Sequence, residues 1–211
     1  MSHPTRRAAL LLGAAFTVWG VGPALAQDTH GWFTSGINPT DYIFHTGEGG
    51  SGRRSQRMSD ADELRSRIYQ DSVLFPPPEG LQAVSIRSRP TVRPGGMGAL
   101  SRTVPARRFL GKRVRLSANL RTERAGRVQM WMKVTGASDR VLAFDDMQSR
   151  PLRGTTRWRH YTIVLQVPAN ATEISYGFLL AGSGTVWGND FTLGTAAAST
   201  PLTGGAGGAA P

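Results

Sequence analysis

Apolar and polar residues alternate one by one along residues 113–121 and again along 127–134. In the first run Val114, Leu116, Ala118 and Leu120 interleave with Arg115, Ser117, Asn119 and Arg121; in the second Val128, Met130, Met132 and Val134 interleave with Gln129, Trp131 and Lys133. A period of two marks strands with one face in a core and the other in water. The pattern continues on both sides. Val84 and Ile86 alternate with Ser85 and Arg87, and residues 97–104 resume alternation after a turn containing Pro90, Pro94, Gly95 and Gly96. Further on, Tyr161, Ile163, Leu165 and Val167 face away from His160, Thr162 and Gln166. After a turn at 168–170, Ile174, Tyr176, Phe178 and Leu180 share one side of the next strand, and the glycines of 182–184 lead into a last strand at 186–193. Short strands punctuated by Gly and Pro, without strand-helix alternation, predict an all-β antiparallel sandwich or barrel.

Outside these strands the pattern changes. Residues 31–44 read as a lead-in and first strand, broken by a turn at Asn38 and Pro39 and packed along the sandwich edge. Residues 46–80 read as a surface insertion: a Gly-rich flexible stretch at 49–54, a short helix at 60–69, and the prolines of 76–78 that end it. The last stretch, 194–211, is almost wholly Ala, Gly, Thr, Ser and Pro; it is expected to be a disordered tail because it has too little apolar surface to fold.

At the other end, Arg6 and Arg7 precede an apolar run at 8–21 and an Ala24, Leu25, Ala26 site. That order of charged region, hydrophobic region and small-residue site predicts a signal peptide, 1–26, cleaved after Ala26, with the sandwich domain at 27–193. The paired arginines fit a twin-arginine signal and an ordinary secretory signal alike. The apolar run is short and rich in Gly and Ala, and no later stretch approaches the roughly 20 apolar residues of a membrane span. The expected location is therefore periplasmic or secreted.

Composition narrows the chemistry. The chain has no cysteine, which excludes disulfides, thiolate metal sites and cysteine nucleophiles. Its formal charge of +11 would suit an anionic partner, but Lys112 and Lys133 are the only lysines, and arginine with abundant Gly and Ala is what a GC-rich genome yields. No basic helix or recognition motif accompanies the charge, so no specific nucleic-acid partner is expected. Neither a Gly-x-Ser-x-Gly elbow, a His-Glu-x-x-His helix nor a Ser, His, Asp set is recognisable, so no enzyme is expected, and no cofactor is assigned.

Trp158 to Tyr161, Val167 to Ala171, Ile174 to Phe178 and Gly184 to Asp190, in that order, resemble the closing strands of carbohydrate-binding-module-like jelly rolls, the galactose-binding-domain-like group. Trp32, the segment 111–117, Trp131 and Met132, the segment 143–147 and the segment 154–156 are similar, more closely, to a poorly characterised set of bacterial proteins carrying the same module, some of them labelled transcriptional regulators. A helix-turn-helix is absent from this sequence. The resemblance covers most of the chain after the leader and implies a jelly-roll β-sandwich and a noncatalytic binding role. The chain departs from that pattern at the 46–80 insertion and at Gly188, Asn189 and Asp190, where the group has a bulkier residue and paired aspartates, which weakens an inherited calcium site.

Function must be read from a site, since one fold hosts many. The five residues 122–126 are short enough for a hairpin between the two opening strands. With Arg121 opposite Arg127, Asn119 would face Gln129, Ser117 would face Trp131, and Arg115 would face Lys133. That places Trp131 on one face with Arg115, Asn119 and Gln129 as the expected ligand-binding residues: an indole to stack on a sugar's apolar face, ringed by groups that bond its hydroxyls. The plainer reading is that Trp131 packs beneath the insertion or the N-terminal segment. Asp145 and Asp146 read as solvated or turn-capping acids, or as ligands of a cation or a sugar hydroxyl; Asp190 with Asn189 reads as part of a calcium site in which only one of the two carries charge; His160 reads as a surface or satisfied residue, and Trp158 and Trp187 as core or strand-end packing residues. Two classes of function remain: a module binding a glycan or another polar small molecule, and a structural or interaction domain that meets an envelope protein.

Overall fold

The computed structural model describes residues 25–27, 31–46 and 83–206. The strands are β1 (Leu25–Gln27), β2 (Phe33–Ile37), β3 (Tyr42–His45), β4 (Val84–Ser88), β5 (Met97–Pro105), β6 (Arg113–Gly136), β7 (Val141–Asp145), β8 (Leu152–Gln166), β9 (Ala171–Ala181), β10 (Thr185–Ala196) and β11 (Gly205–Ala206). Every pairing is antiparallel. The helical turns among the described residues are single 3-10 turns at Pro39–Asp41, Ala106–Arg108 and Ala137–Asp139. The protein is an all-β sandwich of the jelly-roll kind. Among the described residues no helix is long and apolar enough to cross a membrane.

The organising element is β6, 24 residues long. Its first part, 113–123, lies between β8 and β10, with β4 and then β3 beyond β10. Its second part, 127–136, lies between β9 and β7, with β5, β2 and β1 beyond β9. The two parts therefore belong to different layers, and the hairpin expected between them does not form. Instead the chain turns a corner. Register shifts against β8 between Leu120 and Val128, and a left-handed Arg124 at φ 46°, bend the strand as bulges do. Thr122 Oγ1 donates to the Gly154 carbonyl at 3.0 Å, and the Arg124 amide donates to Thr155 Oγ1 at 3.1 Å, which holds the corner against β8.

The physical reason lies in the apolar faces. A hairpin would set the two halves side by side in one layer, whereas the corner turns Leu116 and Leu120 toward Met130 and Met132, all at 0 % exposure in one continuous core. Each half also acquires neighbours on both edges. Phe178 stacks on Phe191 with centroids 5.4 Å apart, and Trp32 meets both rings edge-on. Trp32, on the predicted edge segment, is thus a core residue, 3 % exposed. The predicted inward sets, Val84 with Ile86 and Ile174 through Leu180, are buried as expected.

The C-terminal stretch departs from expectation. Residues 194–206 are held, not disordered: β10 runs to Ala196, Thr203 bonds to β8 at Val164, and β11 pairs with β7. Apolar burial was the wrong criterion, because this strap is fixed by backbone hydrogen bonds along two open strand edges. Gly204 sits where a β-carbon would run into the Phe144 carbonyl, Asp145 and Leu165. Covering edge strands in this way removes their unpaired amides from solvent. The predicted insertion falls almost wholly outside the described residues, as do 207–211 and nearly all of the predicted leader; β1 straddles the expected cleavage point after Ala26.

Candidate functional site

Because β6 crosses between layers, its outward residues are split between two surfaces. Arg115 and Asn119 lie on the outer face of the first layer, Gln129 and Trp131 on that of the second, with the core between them. The four expected ligand-binding residues do not converge. The error follows from the absent hairpin, since alternation fixes which side of a strand a residue occupies but not which strand lies beside it.

On the second layer, Trp131 is half-buried and packs against Met97, Ala99 and Leu179 of β5 and β9, a small apolar cluster separate from the main core. Gly177 is its direct neighbour on β9, and a β-carbon there would run into the backbone of Leu100 and Ser101. No side chain therefore stands beside the indole on that strand. Lys133 and Ser175 pair in the next outward row, with Ser101 opposite Gly177. Gln129 is 3 % exposed, and its amide donates to the Asp146 carbonyl at 2.8 Å. It is a latch for the loop after β7 rather than a free ligand group. In that loop Asp145 accepts from the Met147 amide at 2.8 Å and from Arg150 at 2.6 Å, and Asp146 accepts from the Gln148 amide at 3.0 Å. These acids cap the turn, one of the roles expected of them. A depression of about 360 Å³ lined by Phe144, Asp146, Gln148, Arg150, Thr203 and Gly204 opens beside it.

On the first layer a different chemistry assembles. Asn119 Nδ2 donates to Asp190 at 2.9 Å, and His160 Nδ1 lies 3.2 Å from Asn119 Oδ1, where the imidazole N–H donates. Partial burial of the imidazole lowers the His160 pKa below its ordinary value; the Asp190 carboxylate pulls it back up and the Arg115 guanidinium pushes it down. Asn189, the cross-strand neighbour of Asn119, is 8 % exposed, and its Oδ1 has no hydrogen-bond partner. Trp187 is not a core residue: it lies half-buried on the outer face, with the Arg121 guanidinium 5.0 Å from its ring centroid, a cation–π contact. Trp158 is half-buried with its indole N–H unpartnered. Among the described residues no group of three His, Cys, Asp or Glu is placed to hold a metal ion.

The placement of Trp187, Asp190 and His160 on one face was not foreseen. The signal was present: Trp187 stands between Val186 and Gly188, both inward-facing, so strict alternation sends it outward.

No family model matches the chain. An uncharacterized HTH-type transcriptional regulator of Bacillus subtilis (strain 168) is 46% identical over 94 residues, which are 44% of this chain and 32% of that protein. The chain thus spans about a third of the length of that curated relative. Among solved structures, a C-terminal family 22 carbohydrate-binding module of Clostridium thermocellum is similar with a TM-score of 0.46 and 13% identity, over 82% of this chain and 91% of that one. A family 61 module in complex with β-1,4-galactotriose is similar with a TM-score of 0.43 and 13% identity, over 78% of this chain and 88% of that one.

Proposed function

We propose that this protein is an exported, noncatalytic binding module that holds a glycan or another small polar ligand against the outer face of its second layer, at Trp131. The observation that carries this reading is the setting of the indole. It is half-buried on Met97, Ala99 and Leu179, yet it lies on an outer sheet face with a glycine as its direct neighbour on β9. A pyranose offers an apolar face to such a ring and a rim of hydroxyls to nearby polar groups. Lys133, Ser175 and Ser101 stand in the adjoining positions to receive them. Arg115 and Asn119 belong to the other face and have no part in this platform.

The test is a glycan array probed with the full chain and with Trp131→Ala. Loss of the ring should cost about 1–2 kcal/mol of stability, the scale of a half-buried aromatic, and lower affinity for the captured glycan about tenfold or more. A chain that captures no glycan, or whose capture is indifferent to Trp131→Ala, would overturn the reading. A protein-interaction role is the second reading, favoured by Ile37, which is 56 % exposed on the same face at the end of β2.

A further inference from the structure

The outer face of the first layer carries an arrangement that the Trp131 platform does not use. Arg113, Arg115, Ser117, Asn119 and Arg121 face outward in a row on the first part of β6; Glu123, held by Arg124 at 3.2 Å, follows at its end, and Arg87 of β4 points the same way beyond Trp187. Outward positions on a strand repeat at about 7 Å, so this row extends over roughly 26 Å. None of the ion pairs among the described residues engages Arg87, Arg113, Arg115 or Arg121. Arg113 donates to the Thr200 carbonyl, and Arg121 lies over Trp187. At the Arg113 end a depression of about 380 Å³ adds Lys112 and Gln166. The outward positions of β6 in the second layer, in contrast, carry Arg127 and Lys133 as their cations, and Glu173 faces Thr135 there.

We propose that this face is a second, separate binding surface for an acidic polysaccharide, one bearing carboxylates or sulfate esters along a polyhydroxylated chain. The guanidinium is a planar fork that matches either anion with two parallel hydrogen bonds, and no ion pair among the described residues occupies these forks. The groups between the arginines explain why the anion should be a sugar. Asp190, Asn119 and His160 form a hydrogen-bonded chain in the middle of the row, beside the unsatisfied Asn189 Oδ1. A carboxylate among arginines opposes any polyanion alike, but it accepts from the hydroxyls of a sugar chain, which deoxyribose phosphate does not offer. Trp187, steadied by Arg121, supplies a ring edge at one end of the row.

The experiment titrates the full chain with polygalacturonate, dextran sulfate, neutral dextran and a short DNA duplex over a series of salt concentrations. Polygalacturonate or dextran sulfate should bind, with salt-dependent affinity, while neutral dextran should bind this face no more than background; whichever polyanion binds tighter identifies the anion. Arg115→Gln with Arg121→Gln should weaken that binding roughly tenfold or more, since charge-assisted bonds are the ones lost. Arg127→Gln with Arg140→Gln, the same change of charge on the second part of β6 and the exposed loop that follows it, should leave it within about twofold. Thermal melting monitors folding of each variant. Should the first pair unfold, Arg115→Lys with Arg121→Lys keeps the charge and still weakens binding through loss of the fork. Equal weakening by both glutamine pairs, weakening by neither, or DNA binding as tight as the polysaccharides would overturn the proposal. Trp131→Ala should leave polyanion binding intact, so the two sites fail independently; its loss there would show a single site.

Discussion

The two outer faces of the sandwich are built on the same strand and share one core, yet they differ in almost every chemical respect. The second-layer face is a small apolar cluster capped by an indole, with Met97, Ala99 and Leu179 nearly buried although they point away from the core. The first-layer face is a row of guanidiniums interrupted by an amide, an imidazole and a carboxylate. A GC-rich gene would enrich a chain in arginine, but it has no means of aligning several of them along one strand face. The difference teaches that net charge, read as a single number, hid an asymmetry that only the placement of β6 in both layers reveals.

The change that should erase the comparison altogether is Phe178→Ala. Phe178 is fully buried and stacks on Phe191 beneath both faces, and removal of a core aromatic costs about 3–5 kcal/mol. Chemical denaturation should register that loss, with both binding activities weakening together; retention of either at full strength in a chain so destabilised would show that one face folds apart from the shared core.

A smaller effect is expected at the strap. Thr203 Oγ1 accepts from the Val164 amide at 2.8 Å, and the Thr203 amide donates to the Val164 carbonyl at 3.0 Å. Thr203→Ala removes the first bond and should cost about 1 kcal/mol, with amide exchange at Val164 accelerating while that of Met130 is unchanged. Equal acceleration at both would mean that the strap stabilises the whole sandwich rather than the β8 edge.

The smallest effect, and the sharpest probe of the charged face, is the titration of His160. Its folded-state pKa lies below the ordinary 6.5, chiefly because the ring is partly buried. The folded chain therefore binds fewer protons than the unfolded chain in the window below 6.5, so this residue's contribution to stability is complete above 6.5 and shrinks as pH falls through that window. Arg115→Gln should raise the His160 pKa and Asp190→Asn should lower it further, as followed by the imidazole resonances. Shifts in the opposite sense would place those charges elsewhere than beside the ring.

Much of the fold was legible because alternation reports burial directly. Leu116, Met130, Ile163 and Phe178 were each assigned inward from local pattern alone, and each is fully buried. The candidate site was much less legible. Residues 122–126 carry the same pattern whether the chain doubles back or turns a corner, and the choice is made by which arrangement lets Leu120 and Met130 meet across a core. The segment 194–206 was read by apolar content, whereas the strand edges of β7 and β8 hold it through the backbone. Trp187 was set among packing residues by the habit of large aromatics to be buried, although its own neighbours Val186 and Gly188 had already taken the inward side.

The passage of β6 through both layers also has a mechanical consequence. One 24-residue strand lies between β8 and β10 along its first part and between β9 and β7 along its second. It acts as a single beam common to two walls. The sandwich has no seam along which one wall could peel off with its own hydrogen bonds intact, so a load applied at either face is borne by the covalent backbone that also supports the other.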